Sequence, residues 1–320
     1  MQSIYVFADF TFQVIGPVIL LLGFGYFLFQ KRYVTDDFVQ QASRLIFNFA
    51  LPALLYVNIS QADLHVLLNL KSISVAISAT LMVFILSIVF VSYKVIDRND
   101  KGVIVQAIFR ANMGIIGLAY CANAYGQAGL AFAAIYMGFL TILYNVLSVS
   151  VLNIFQNQQT DIIKILKGII TNPIIIAIVL GMISAGFNIK PISIVSTSLA
   201  YIAQLTLPLA LICTGASLTF TTLGKYWKLV TIATVGKCVI YPSLLIAMAL
   251  LFHIDGMVLG VMYLMAMSPT AAASYVMVRK IGGNHLLAAQ IVATSTIISL
   301  PITLIGYAIL TQFVDLAFII

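Results

Sequence analysis

The sequence contains no glutamate, and its nine acidic residues are all aspartates. None lies in the middle of a long apolar run. Asp9, Asp63, Asp255 and Asp315 fall near run ends, and Asp36, Asp37, Asp97, Asp100 and Asp161 fall between runs. Intramembrane proton relays run through buried Asp, Glu or His, and His65, His253 and His285 also sit near loops. No such relay is therefore expected, and an intramembrane enzyme is disfavoured because its acids and histidines would be at the wrong depth. Charge of either sign is scarce. Only 8% of the 320 residues are charged, against about 25% in soluble domains, which excludes an ordinary soluble surface. Cys121, Cys213 and Cys238 lie within apolar runs without metal-type spacing, so they read as small hydrophobes and say little about redox compartment.

What is present is hydrophobic length. Residues of hydrophobic type make up 62% of the chain, in runs near the ~20 residues that cross a bilayer. Ten spans are expected, at about 8–30, 38–60, 72–93, 102–124, 128–153, 168–188, 194–218, 229–252, 256–278 and 286–313. The N-terminal stretch Met1 to Phe10 lacks a basic region and a small-residue cleavage site, so the first run reads as a retained span. The net charge of +7 invites a nucleic-acid reading, but the positions of the cations oppose it. Lys31, Arg32, Lys94, Arg98, Lys101, Lys164, Lys167, Lys225, Lys228, Arg279 and Lys280 fall in odd-numbered loops. Only Lys71 and Lys190 fall in even-numbered ones. By the positive-inside rule the odd loops are cytoplasmic and both termini are outside.

A shift of 156 residues lays the sequence on itself without a gap. Pro17 meets Pro173, Gly25 meets Gly181, Leu51-Pro52 meets Leu207-Pro208, Leu55 meets Leu211 and Gly126 meets Gly282. Two copies of an odd number of spans must lie in opposite orientations. That is the inverted-repeat plan of secondary transporters, in which substrate binds near the midplane at interrupted helices. The expected interruptions are in the fourth and ninth spans. In the ninth, Ser268-Pro269-Thr270 lies near mid-membrane, where proline removes an amide donor and Ser268 is placed to cap a second half-helix. In the fourth, Asn112 takes the repeat-equivalent place, and Gly114 and Gly117 ease the opening. Ordinary kinks are the plainer alternative.

Asn48 and Gln204 also obey the shift, and with Asn145 they read either as substrate contacts or as hydrogen bonds between helices. Arg44, Arg110 and Lys237 are cations inside spans with no acid to pair with, which suits an anionic ligand. Snorkelling to the interface is the alternative, strongest for Arg44.

These residues resemble the auxin efflux carrier family over nearly the whole chain. The segment from Ser43 to Pro52, with Arg44 eight residues before the proline, is similar to the family's second helix. Asn172-Pro173 with Leu180-Gly181 is similar to its sixth, and Pro208-Leu209-Ala210-Leu211 with Gly215 and Ser217-Leu218 to its seventh. Lys237 before Pro242 resembles its eighth, and Leu300-Pro301-Ile302-Thr303-Leu304 its tenth. The chain departs from the family pattern at Ala119, where members usually carry a proline after the fourth-helix glycine.

The resemblance implies an all-α polytopic membrane protein. Its ten transmembrane helices would form two inverted five-helix repeats with crossed, broken helices 4 and 9, as in bile-acid symporters and sodium/proton antiporters. The repeats would span residues 1–155 and 168–320, joined by a short cytoplasmic linker at 156–167 that is similar to bacterial members. Helices 1, 2, 6 and 7 would form a scaffold that pairs in homodimers, and helices 3–5 and 8–10 the transport domain. The implied substrates are organic carboxylates, auxin-like or malate- and malonate-like, with Asn112 on the carboxylate.

The expected function is a secondary transporter of a small mono- or dicarboxylate, working by alternating access in a bacterial cytoplasmic membrane. Its substrate site would comprise Asn112, Gly114, Ser268, Pro269, Thr270, Asn48, Gln204 and Asn145, with Arg110, Lys237 and Arg44 attracting the anion. No catalytic residue, metal or cofactor and no nucleic-acid partner is expected. Sodium held by backbone and side-chain oxygens is an open coupling ion. The alternative is a sodium-coupled symporter of a bulkier, bile-acid-like anion on the same fold.

Overall fold

Prolines and glycines punctuate the chain, and the helices follow them. The computed structural model describes residues 10–62, 69–157, 161–189, 191–218 and 226–316. Asp9, Asp63, His65, Lys190 and Lys225, used above to place charge, lie outside the described residues, as does the side chain of Lys164. The fold is all-α. Among the described residues seven helices are long and apolar enough to cross a membrane. They are α1 (Phe12–Gln30), α2 (Asp36–Ser60), α3 (Leu70–Lys94), α5 (Met113–Gln156), α8 (Ser193–Ala216), α9 (Trp227–Leu251) and α12 (His285–Leu310). Shorter helices complete the set: α4 (Arg98–Phe109), α6 (Ile162–Ile170), α7 (Pro173–Gly186), α10 (Gly256–Met267) and α11 (Ala273–Ile281).

The difference between seven long helices and ten expected spans has local causes. Pro173 opens α7 at its first position and Asn172 caps it by accepting from Ile174 N, so α7 has 14 residues where a span near 168–188 was expected. The linker expected at 156–167 instead holds part of α6. The α5 segment runs 44 residues, but Gly126 inside it has φ +58° and ψ −142°. That positive-φ backbone, which glycine adopts without a Cβ penalty, separates the apolar runs expected to end near 124 and begin near 128.

Proline also shapes the long helices. The segments Phe10–Ile15, Ile46–Ala50 and Gly236–Ile240 are π-helical turns that end just before Pro17, Pro52 and Pro242. A proline has no N–H to give and its ring crowds the preceding turn, and widening that turn relieves both problems. Asn48 and Lys237 sit in two of these widened turns.

Packing sorts the helices into two groups. α1 lies along the second half of α8, and the second half of α2 along α7 and the first half of α8. In the other group α4 packs on α3 and α5, α9 on α3 and α10, and α12 on α9 and α11. The α1–α8 contact is backbone to backbone. A Cβ on Gly25 would overlap the Ile212 carbonyl, and one on Gly215 would overlap that of Leu22. Apolar side chains such as Leu81, Ile85 and Val89 on α3 and Ile298 and Ile305 on α12 remain exposed, as lipid-facing surfaces require.

Candidate functional site

The two interrupted segments meet. Between α4 and α5 the chain leaves the helix at Arg110–Asn112, and between α10 and α11 it does so from Ser268 to Ala272. There Ala111 and Thr270 form an antiparallel β-bridge. Asn112 N donates to Pro269 O at 2.7 Å, and Ala271 N donates to Arg110 O at 3.0 Å. Each break thus satisfies main-chain groups that the other leaves open, which an apolar interior requires. Thr270 fastens the junction further. Its hydroxyl donates to Ala107 O (2.9 Å) and its amide to Ser295 Oγ (3.2 Å).

Ser268 departs from its expected role. Its hydroxyl donates to Met265 O at 2.6 Å and it closes α10, while the next half-helix begins only at Ala273. With proline at the following position, Ser268 adopts an extended ψ of 139° and cannot present its side chain to the start of α11. The Ser268 and Thr270 hydroxyls are therefore committed to the fold as donors.

Asn112 is different. Its carbonyl accepts from Ile116 N and Gly117 N, but its carboxamide has no hydrogen-bond partner among the described residues. It is only 7% exposed. The amides of Met113, Gly114 and Ile115 at the start of α5 belong to the first turn of a helix, where N–H groups lack intrahelical acceptors. Gly114 itself has room, since a Cβ there would make ordinary contacts with Met137 and Leu51. Gly117 does not, because a Cβ would sit 2.7 Å from Met265 Sδ.

A partly open cleft of about 50 Å³ lies beside the junction. Its walls are Ser43, Ile46 and Phe47 of α2, Ala210, Cys213 and Thr214 of α8, Ser217 just after α8, Ile115 of α5, and Ala272. It thus separates the two groups of helices. Thr214 and Ser217 donate back to their own helix, at Ala210 O (2.7 Å) and Cys213 O (2.8 Å), which leaves their oxygens as acceptors. Sequence reasoning missed the cleft residues on and just after α8, although Ser217 stands in the segment that carries the family resemblance. Arg44 and Asn48 are exposed next to the cleft-lining Ser43 and Phe47, and make no hydrogen bond among the described residues. Gln204 is exposed at the end of the first part of α8, which packs against the turn holding Asn48.

The buried cations are engaged inside the protein. Arg110 donates through Nη1 to Tyr144 O (3.1 Å) and Ser148 Oγ (3.0 Å), and through Nη2 to Asn145 Oδ1 (2.9 Å). Lys237 is fully buried, donates to Ala266 O at 3.1 Å and lies 4.4 Å from the centre of the Tyr241 ring. Ala266 is in the last turn of α10, whose C-terminal carbonyls carry partial negative charge, and the ammonium offsets it. Lys237 was expected to attract an incoming anion, but burial leaves it no contact with the cleft. Tyr241 OH and Tyr144 OH, 2.8 Å apart, link the surroundings of the two cations. Among the described residues no cluster of His, Cys, Asp or Glu is placed to hold a metal ion.

The profile of the membrane transport protein family matches residues 10–165 and 160–307, nearly the whole chain. An uncharacterized transporter of Methanothermobacter thermautotrophicus is 25% identical over 299 residues, covering 92% of this chain and 96% of the relative. The helices described above make the chain an integral, multi-pass membrane protein. With its sequence matched from the first span to the last, it belongs to the auxin efflux carrier family of membrane transport proteins.

Proposed function

We propose that this protein is a secondary transporter of a small organic anion, a mono- or dicarboxylate, working by alternating access. The observation that carries the reading is the antiparallel junction of two broken helices beside a cleft between two helix groups. In this reading α4 with the first part of α5, and α10 with α11, are the broken fourth and ninth spans of two inverted five-span repeats. The packing supports a scaffold of α1, α2, α7 and α8 and a transport domain of the remaining spans. Leu20, Phe24 and Phe27 on α1 stay exposed, which suits a homodimer through the scaffold.

Asn112 presents an unpartnered carboxamide at the positive end of a half-helix, the polarity a carboxylate seeks. Gly114 lets the anion approach the backbone, and Asn48, Gln204 and Arg44 line its path from the cytoplasm. In this reading both termini lie outside a bacterial cytoplasmic membrane, and the cations in odd-numbered loops support that orientation. The reading needs no cofactor.

The test is saturable uptake of labelled carboxylates into proteoliposomes, with counterflow and with choline replacing sodium. Counterflow of a small carboxylate independent of sodium is the expected result. Linear flux without counterflow contradicts the carrier, and a strict sodium requirement favours the sodium-coupled alternative.

A further inference from the structure

Arg110 is a buried cation whose hydrogen-bond partners are all neutral. The guanidinium offers five N–H donors, of which three are used, on Tyr144 O, Ser148 Oγ and Asn145 Oδ1. Its Nε is buried without a partner among the described residues. The described aspartates all lie near helix ends or in loops, and no ion pair to Arg110 is present among the described residues. A desolvated charge held by neutral dipoles alone keeps a strong attraction for an anion.

Asn145 gives that attraction a direction. Arginine has only donors, so Asn145 must turn its oxygen to Nη2 and its NH₂ group the other way. Asn145 is half-buried, and its NH₂ has no partner among the described residues. A cationic donor and a neutral donor therefore stand side by side at a partly open position, the pattern that grips a carboxylate. The place matters too. Arg110 and Asn112 are alternate residues of the extended junction, so they leave the backbone on the same side. Their Cα atoms are separated by about 6–7 Å at the rise of an extended chain, so the Arg110 side chain starts from the same stretch of junction as Asn112.

We propose that Arg110 and Asn145 form a second anion-recognition site beside Asn112, and that it makes the carrier select dicarboxylates over monocarboxylates. The proposal rests on the transport reading above, with Asn112 holding the first carboxylate. The plainer role for Arg110 is a brace between the junction and α5, and the test separates the two.

The experiment measures binding of succinate and of butyrate, which match in length, to the purified full chain by calorimetry and thermal shift. Wild type is expected to prefer succinate on the order of 10- to 100-fold, the effect of one hydrogen-bonded charged group. Asn145→Asp keeps the acceptor for Arg110 and supplies its missing counter-charge, so thermal stability holds or rises while the succinate preference disappears. Arg110→Lys keeps the charge without the fork, and it should cut succinate affinity several-fold and leave butyrate unchanged. If both variants keep the wild-type preference, Arg110 is a brace and the proposal fails. Equal binding of the two acids by wild type overturns it as well, but leaves the carboxylate carrier standing. Failure of wild type to bind any carboxylate ends both readings.

Discussion

The amide of Asn112 donates to the carbonyl of Pro269, so one broken helix starts where the other stops. The hydrogen bond depends on α10 ending at Ser268, and Pro269 enforces that end. In a helix interior proline is about 3 kcal/mol less favourable than alanine. Pro269→Ala removes this penalty and lets α10 continue helically. The expected outcome is normal membrane insertion with flux reduced at least tenfold, measured per unit of protein in proteoliposomes. Undiminished flux would show that the break does not need the proline.

The α1–α8 contact predicts a contrast between glycines. Gly215 faces the Leu22 backbone, which cannot move aside as a side chain can, whereas Gly114 faces the flexible ends of Met137 and Leu51. Gly215→Val should cost about 1–3 kcal/mol or more, the scale of overpacking, while Gly114→Ala should leave stability nearly unchanged. Thermal unfolding of the purified protein checks both. Equal midpoints for the two variants would mean that the helices separate easily.

Cys213 is a native reporter of the cleft. It lines the cleft at 4% exposure, whereas Cys121 at 0% and Cys238 at 1% are packed elsewhere. A small thiol reagent should modify Cys213 first, and a transported carboxylate should slow that reaction. Peptide mass spectrometry after timed labelling reads the order. Prior modification of Cys121 or Cys238 would place the accessible path elsewhere.

The sequence shows the fold most clearly where a residue restricts the backbone. Pro269 marks the interruption of α10, and Pro52 and Pro242 mark the widened turns that hold Asn48 and Lys237. The break before α5 has no proline, and glycines with Asn112 suffice because the opposing strand takes up its amide. The partners of the buried cations were not legible. Tyr144, Asn145 and Ser148 are 34 to 38 residues from Arg110, and Ala266 is 29 from Lys237. Backbone carbonyls also leave no trace in residue type, so a lysine satisfied by one looks in the sequence like a lysine awaiting a ligand. The Ser268 hydroxyl misled for a related reason, since serine beside proline serves either end of a helix and only the backbone angle decides.

The proposed carrier holds its substrate's carboxylate at Asn112, in the junction. Counterflow of labelled carboxylate by Asn112→Ala proteoliposomes tests it most directly, with thermal stability measured in parallel. Loss of saturable exchange at a wild-type unfolding temperature is the expected result. Saturable exchange at the wild-type rate would contradict it.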